Sequence, residues 1–586
     1  MMTFETATLK PDRGRRRKLI AVSVMACLAG LLGITAYKFS AIGTKSSRVT
    51  PSRDTTFITS PLRADGSVDY IAAINQRFGE GVTPETNASV LIWHALGPQA
   101  YDATTRNAFF KALGIPMPSE QGDYFVSLES FAKSMKVEPS GASGPAPASV
   151  PDFEKLVAQF HAASDGPLVP EDVRKLKEVL EGKVKPAALV ELEAQLEQAV
   201  ARPWSQEEFP PLAEWIRTNK APLDIVLEAS RRPRRFDPII VAPSETYRYF
   251  SAPRTMALES RSLADALLAR ALLRASTDEV DAAWQDLIAA HRLSRLVMQG
   301  PTLIDWLSGL EINRQVCVAQ RALLQHAELG PDEIAVMRAD LDALSPITDV
   351  ADTIDWSERF ERLDSMFALA QEMSEGSAAP GSRFPFHDFS AFRRNSIDWN
   401  QVFKEVNVWL DRSVAACRLP TREMREAALE ELENDYIKQG KDLRSLSRSI
   451  ASALGSRHEK SMRMSHLLVA LFLPASLSAS DSQLRGMMDV ELTKAAFAIA
   501  AYRADHGKYP QTLAELAPDY MAASPDEDFI GAPLRYVASA SGYSLQCAGP
   551  NDRLEALSED GKPLEYPWGD DMLIELSAVA LKSGVP

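Results

Sequence analysis

The sequence predicts a mainly α protein: an irregular helical body of packed antiparallel helices, then a small C-terminal α+β module with a long helix on a short antiparallel sheet. Three observations carry that expectation. Apolar residues recur at helical spacing through most of residues 65–480, the connections between those stretches are short, and short apolar runs separated by turn residues replace them near the C-terminus. At 586 residues the chain exceeds what one core usually serves, so two to four units are expected. Hydrophobic content of 45% and charged content of 24% are ordinary globular values.

The first 18 residues are basic. Lys10, Arg13, Arg15, Arg16, Arg17 and Lys18 stand against Glu5 and Asp12, a net of +4, so the total of −15 leaves −19 on the rest. Leu19 to Tyr37 then runs for nineteen residues without a charge. As a helix it spans about 28 Å, close to the hydrocarbon thickness of a bilayer. The basic cluster before it places the N-terminus in the cytoplasm and the remainder outside. A cleaved signal peptide would have a shorter apolar core and small residues before the cut, but Phe39 interrupts the set ending at Ala41. An uncleaved single-pass anchor is therefore expected over 19–37, and residues 38–64, polar and rich in Ser, Thr and Arg, read as a tether.

A first helical segment is expected over 65–138, a Pro/Gly/Ser/Ala linker over 139–152, and the main helical body over 153–480. Within the body, Ala264, Leu267, Leu268, Ala271 and Leu272 form one apolar stripe, and Val280, Ala283, Trp284, Leu287 and Ile288 form the next. Ser276 and Glu279 have the spacing of a capping box for the second helix. A helical pattern follows from Pro301 to about Ala327, and Gly330-Pro331 opens another. Residues 377–394 mix Gly and Pro with Phe384, Phe386, Phe389 and Phe392, an irregular stretch whose aromatics plug its own domain or mark a binding surface. Thr421 to about Leu454 is a densely charged, solvated helix, and Leu467–Leu473 reads as a core helix ending at Pro474.

The acidic body disfavours nucleic acid, whose binding rests on Lys and Arg neutralising phosphates. The eight histidines lack metal-ligand spacing; His458-Glu459 begins like a zincin pair, but Met462 stands where the second His belongs. Walker, dinucleotide and nucleophile-elbow glycine patterns are absent. Residues 526–531 imitate an EF-hand loop but put Ile530 at a ligand position and Val537 at the twelfth. Cys317, Cys417 and Cys547 read as lone buried residues.

In residues 481–578 a helix carrying Met488, Leu492, Ala495, Ala496, Ile499 and Tyr502 is expected to stop at Gly507. Thr512 and Glu515 form a second capping box, Leu534–Val537 and Tyr543–Cys547 a hairpin, and Met572–Leu576 a third strand. The ordered residues Tyr502-Arg503, Asp505, Gly507, Tyr509-Pro510, Leu513, Leu516, Pro525, Asp528, Gly531, Pro533-Leu534, Tyr536 and Gly542-Tyr543 resemble the globular part of type II secretion pseudopilins. Arg15 follows Gly14 where pseudopilins have the Phe of their peptidase site, and Leu19 stands where their Glu would be, so pilin-type processing is not expected. The resemblance implies a calcium site in the loop before the last strand, with Asn551, Asp552, Asp570 and Asp571 as ligands; a solvated acidic loop is the other reading. Gly81-Val82-Thr83-Pro84-Glu85-Thr86-Asn87-Ala88, Leu96-Gly97-Pro98 and the helices around Ala283–Leu310, together with this module, resemble a family of single-anchor membrane proteins typical of Planctomycetes. That likeness implies a shared architecture only.

These features lead us to expect an extracytoplasmic scaffold or binding protein without catalytic activity, with no required cofactor and with a protein partner. A part in a secretion or pilus-like assembly is the alternative implied by the pseudopilin resemblance. A hydrolase with scattered catalytic residues would need a deep pocket holding a base hydrogen-bonded to a nucleophile.

Overall fold

Both apolar stripes are buried along their helices. Ala264 through Leu272 lie inside α8 (Thr255–Ala275), and Val280 through Ile288 inside α9 (Val280–Val297). The computed structural model describes residues 49–135, 186–241, 249, 252, 255–375, 397–446, 456–522, 534–539, 542–547 and 572–577. The expected anchor at 19–37, the linker at 139–152, the phenylalanine-bearing stretch at 377–394 and the loop holding Asn551, Asp552, Asp570 and Asp571 lie outside these residues. Among the described residues, no helix is long and apolar enough to cross a membrane.

The chain is mainly helical, with a small antiparallel sheet near the C-terminus. The earlier helices are α1 (Tyr70–Gly79), α2 (Ala88–Leu96), α3 (Arg106–Leu113), α4 (Leu128–Ser134), α5 (Ala187–Ala199), α6 (Pro210–Thr218) and α7 (Lys220–Ser230). After α8 and α9 come α10 (Leu303–His326), α11 (Pro331–Asp342), α12 (Arg359–Glu375), α13 (Trp399–Cys417), α14 (Arg422–Leu446) and α15 (Arg457–His506). Pro331 occupies the first turn of α11, and the Gly330 N–H donates to Glu333 Oε2 at 2.6 Å. Strands β1 (Arg535–Ser539), β2 (Gly542–Cys547) and β3 (Met572–Ser577) pair in the order β1-β2-β3, with Tyr536 opposite Leu545 and Leu545 opposite Ile574.

α15 organises the structure. At about 1.5 Å per residue its 50 residues extend about 75 Å. It contributes to three buried clusters in turn. Met464 and Leu468 pack with Tyr70, Phe360, Phe403 and Trp409; Ala479 with Trp306, Ile354 and Val414; and Leu492 through Tyr502 with α8–α11 and the sheet residues Tyr543, Leu545 and Cys547. Near the middle, a Cβ on Gly486 would lie 2.2 Å from Leu310 Cδ1, so only glycine lets α15 approach α10 this closely. Gly507 ends the helix at φ +68°, the left-handed cap expected there.

Four expectations change. The helix does not stop at Pro474, and the division expected at 480/481 falls inside it. A proline removes one hydrogen bond from a helix interior, which packing on both sides of the position outweighs here. Ser276 does not cap α9: its hydroxyl donates to Leu273 O at the end of α8, and Asp278 turns the chain at φ +62°. The connection is too short for a separate cap. In the Thr512 box, Glu515 accepts from the N–H groups of Thr512 and Gln511, but the element it starts is a single turn, Leu513–Leu516.

The fourth change concerns the tether. From Val49 onward the chain is docked on the body. Val49 and Phe57 are buried, and the Thr50 N–H donates to Asn400 Oδ1 at 2.8 Å. Asn407 Nδ2 donates to Thr55 O at 2.7 Å, and the Arg359 guanidinium lies 4.1 Å from the Phe57 ring centre. The Ser and Thr residues that suggest a loose linker instead bond locally: Ser52 Oγ accepts from Thr55 N–H, and Thr56 Oγ1 donates to Ile58 O.

Cys317, Cys417 and Cys547 are buried. α14 exposes Glu430 and Glu431 while Leu429 and Leu432 pack on the body, as a solvated helix with one apolar face should.

Candidate functional site

Residues 81–88 form a turn that latches the start of α2 onto the segment 232–239. Gly81 takes φ +70°, which favours glycine. The Thr83 N–H donates to Thr86 Oγ1 at 3.0 Å and the Asn87 N–H to Thr83 O at 2.9 Å, closing the turn before the helix. Asn87 then serves two elements. Its Oδ1 accepts from Ser89 N–H, capping α2, and from Phe236 N–H, while its Nδ2 donates to Phe236 O at 2.8 Å. Asn75 from α1 pairs in the same way with both backbone groups of Ile239, at 2.8 and 2.9 Å. Two side-chain amides thus stand where neighbouring strands would satisfy this extended segment.

On one side of the segment lies a groove of about 440 Å³, lined by Gln76, Glu80, Val82, Pro84, Leu113 and Phe236 among others. Phe236 forms its floor, and a Cβ on Gly79 would approach Phe236 Cζ to 3.1 Å. Gln76 and Glu80 are exposed at its rim. Its volume falls in the range of small-ligand and peptide-side-chain pockets.

On the other side the segment is held by buried charge. Arg235 Nε donates to Asp237 Oδ2 (2.8 Å), Nη2 to Asp305 Oδ1 (3.0 Å) and Nη1 to Val297 O (2.9 Å). Asp237 also accepts from Trp93 Nε1–H (2.7 Å) and the Ser89 hydroxyl (3.0 Å), and Asp305 from the Thr302 hydroxyl (2.6 Å). Burial opposes the Arg235 charge, but Asp305 and Asp237 outweigh it and hold its pKa above the ordinary value. Burial, with Asp237 and Asp102 adding, pushes the Tyr101 hydroxyl up. A cavity of about 40 Å³ remains beside this cluster, enough for water. The carboxylates spend their lone pairs on Arg235, Trp93, Ser89 and Thr302, so the cluster's chemistry is positional: it fixes the floor of the groove.

A second buried polar group joins α9, α10 and α15. Arg295 donates to Ser345 O (2.8 Å), Ser294 Oγ (3.1 Å) and Asn313 Oδ1 (2.8 Å), all neutral acceptors, and burial lowers its pKa to about 10. His291, fully buried and 3.1 Å from Asn313 Oδ1, is held neutral by burial and the Arg295 charge. Asn313 Nδ2 donates to Gly486 O at 3.1 Å. Burial, with Asp489 adding, pushes the nearby Cys317 thiol up to about 12, which leaves it an unreactive thiol at neutral pH.

Among the described residues, no group of three or more His, Cys, Asp or Glu side chains is placed to hold a metal ion. The sequence-derived ligands Asn551, Asp552, Asp570 and Asp571 lie outside those residues. Sequence pattern marks the groove and its support only through the family-like stretches, 81–88 and the helices around Ala283–Leu310 that carry Val297 and Asp305. The available signal was Arg231-Arg232-Pro233-Arg234-Arg235-Phe236-Asp237-Pro238, a basic, proline-bounded connector within an acidic chain.

No family model matches the chain, and no curated protein or solved structure matches it either.

Proposed function

We propose that this chain is a single-pass, membrane-anchored extracytoplasmic binding or scaffold protein, without catalytic activity, whose helical body carries the surface for a protein partner. The groove beside Phe236 is the observation that carries the reading: it is open, mixed in polarity, and backed by side chains already committed to one another. A rigid floor lowers the ordering cost of binding, which favours recognition. Antiparallel packing of successive helices, such as α8 with α9 across the turn at Asp278, gives the body its stiffness. The uncharged stretch from Leu19 to Tyr37 supplies the anchor.

The test is a comparative pull-down of the tagged full chain from crosslinked membranes, with Gln76→Arg and Val82→Glu as groove variants. Proteins recovered with the wild-type chain and lost from both variants support the reading. An identical set from all three chains removes the groove from it.

A second reading is supported by the C-terminal module. A helix ending at a left-handed glycine, a short turn, and a three-stranded antiparallel sheet follow the order of the pseudopilin-like residues. On this reading the chain is an accessory of a type II secretion or pilus-like assembly, and unchanged secretion after deletion would count against it. Calcium at Asn551, Asp552, Asp570 and Asp571 belongs to the same reading, and equilibrium dialysis of the full chain at millimolar calcium tests it.

A further inference from the structure

The point at which the chain joins its folded body lies at one end of the longest helix. Val49 is buried, and the Thr50 N–H is bonded to Asn400 at the start of α13. The start of α13 meets the start of α15: Gln401 Nε2 is 2.6 Å from His458 Nδ1, Arg457 Nη2 donates to Ile397 O, and the Asp398 N–H donates to Ser461 Oγ at 2.7 Å. One face therefore gathers residues 50–54, 397–404 and 456–461. The C-terminal module is attached at the opposite end of α15, about 75 Å away along the helix.

We infer that this face is a membrane-contacting foot, docked on the anionic headgroup surface of the bilayer that anchors the chain, with α15 carrying the α+β module outward. The inference rests on the anchor reading above and adds to it an orientation and a lipid-facing surface. Two observations support it. Residues 38–48 reach at most about 40 Å when fully extended, so Val49 cannot be farther than that from the end of the expected anchor. The longest dimension of α15 is nearly twice this reach. The face also differs in charge from the acidic average of the chain. It carries Arg53, Lys404, Arg457 and Lys460 against Asp54, Asp398 and Glu459, a net of +1, where everything beyond residue 18 sums to −19.

The three carboxylates are each engaged. Asp54 pairs with Lys404 at 3.1 Å, Asp398 accepts from Gln401 N–H at the cap of α13, and Glu459 accepts from Ser456 N–H at 2.7 Å. Arg457 and His458 are exposed. An acidic surface would be repelled by an anionic leaflet; this end is not, and basic side chains brought to such a surface are attracted to it.

The test uses the full chain reconstituted in vesicles containing anionic lipid and a nitroxide-headgroup lipid. A fluorophore is placed at Thr50→Cys on the face or, at the far end of α15, at Lys508→Cys, both in a Cys27→Ala background; the other cysteines that are described are buried. The foot predicts quenching at position 50 at least three-fold stronger than at position 508, and a reduction at 50 when Arg457→Glu is added. Equal quenching at the two positions, in a chain that resists alkaline carbonate extraction, overturns the foot and leaves the anchor standing. A chain released by carbonate overturns both.

Discussion

Asn87→Ala probes the latch beneath the groove. The side chain makes three bonds, to Ser89 N–H (3.1 Å), Phe236 N–H (2.9 Å) and Phe236 O (2.8 Å), and is 3% exposed. Truncation leaves the Phe236 backbone groups partly buried without their partner and removes the cap of α2. One unsatisfied backbone group costs about 1–3 kcal/mol and a lost cap about 1 kcal/mol, so about 2–4 kcal/mol of local stability should go. At 1.4 kcal/mol per decade, amides of segment 232–239 should exchange with deuterium about 30- to 1,000-fold faster. Asn87→Asp keeps both acceptor roles but turns a carboxylate oxygen toward Phe236 O where the amide donated, so it too should lose protection. Hydrogen exchange followed by mass spectrometry on the full chain reads all three proteins. Unchanged protection over 232–239 in either variant would refute the latch.

Three further predictions concern the interior. Asp286 is fully buried and holds Arg270 at 2.6 Å and Arg274 at 2.6 Å; Asp286→Ala leaves Arg270 only its partly exposed partner Asp224 and should cost about 3 kcal/mol in urea unfolding, whereas a loss under 1 kcal/mol would mean the site relaxes. Gly486→Ala drives a methyl group into Leu310 and should cost about 1–3 kcal/mol, partly restored by Leu310→Val; wild-type stability of the single variant would contradict the close approach of α15 and α10. Burial, against the pull of Arg321 and Arg314, pushes the Asp489 carboxyl up to about 6. Because its folded pKa exceeds the unfolded value of about 4, its stabilising contribution is fully present below about pH 4 and lost as pH rises through 6. Asp489→Asn should therefore gain about 2–3 kcal/mol relative to the wild type between pH 4 and pH 7, and a flat difference would contradict the shift.

The stripes at 264–272 and 280–288, the glycine stop at 507 and all three strands were legible because each depends on local pattern alone. The misread positions share a different cause. Ser276 has the right neighbours for a cap, but its own turn decides its bonding. Pro474 breaks an isolated helix, whereas here contacts from distant residues continue α15 past it. The segment after Val49 looks like a linker by composition, yet Phe57 packs against Arg359, Trp356 and Phe360, and Thr50 and Thr55 bond to α13. The groove was invisible for a related reason. Its residues come from 75–87, 112–113 and 236, and its polar members bond to backbone atoms some 150 residues away, a pairing that leaves no periodic trace.

The central claim is that the groove beside Phe236 receives a protein partner outside the cytoplasm. A photo-crosslinking amino acid at Gln76, in the full chain within intact membranes, tests it most directly, with the exposed Val336 on α11 as the comparison position. The account predicts a discrete higher-mass adduct from position 76 and none from position 336. No adduct at 76, or the same adducts from both positions, would contradict it.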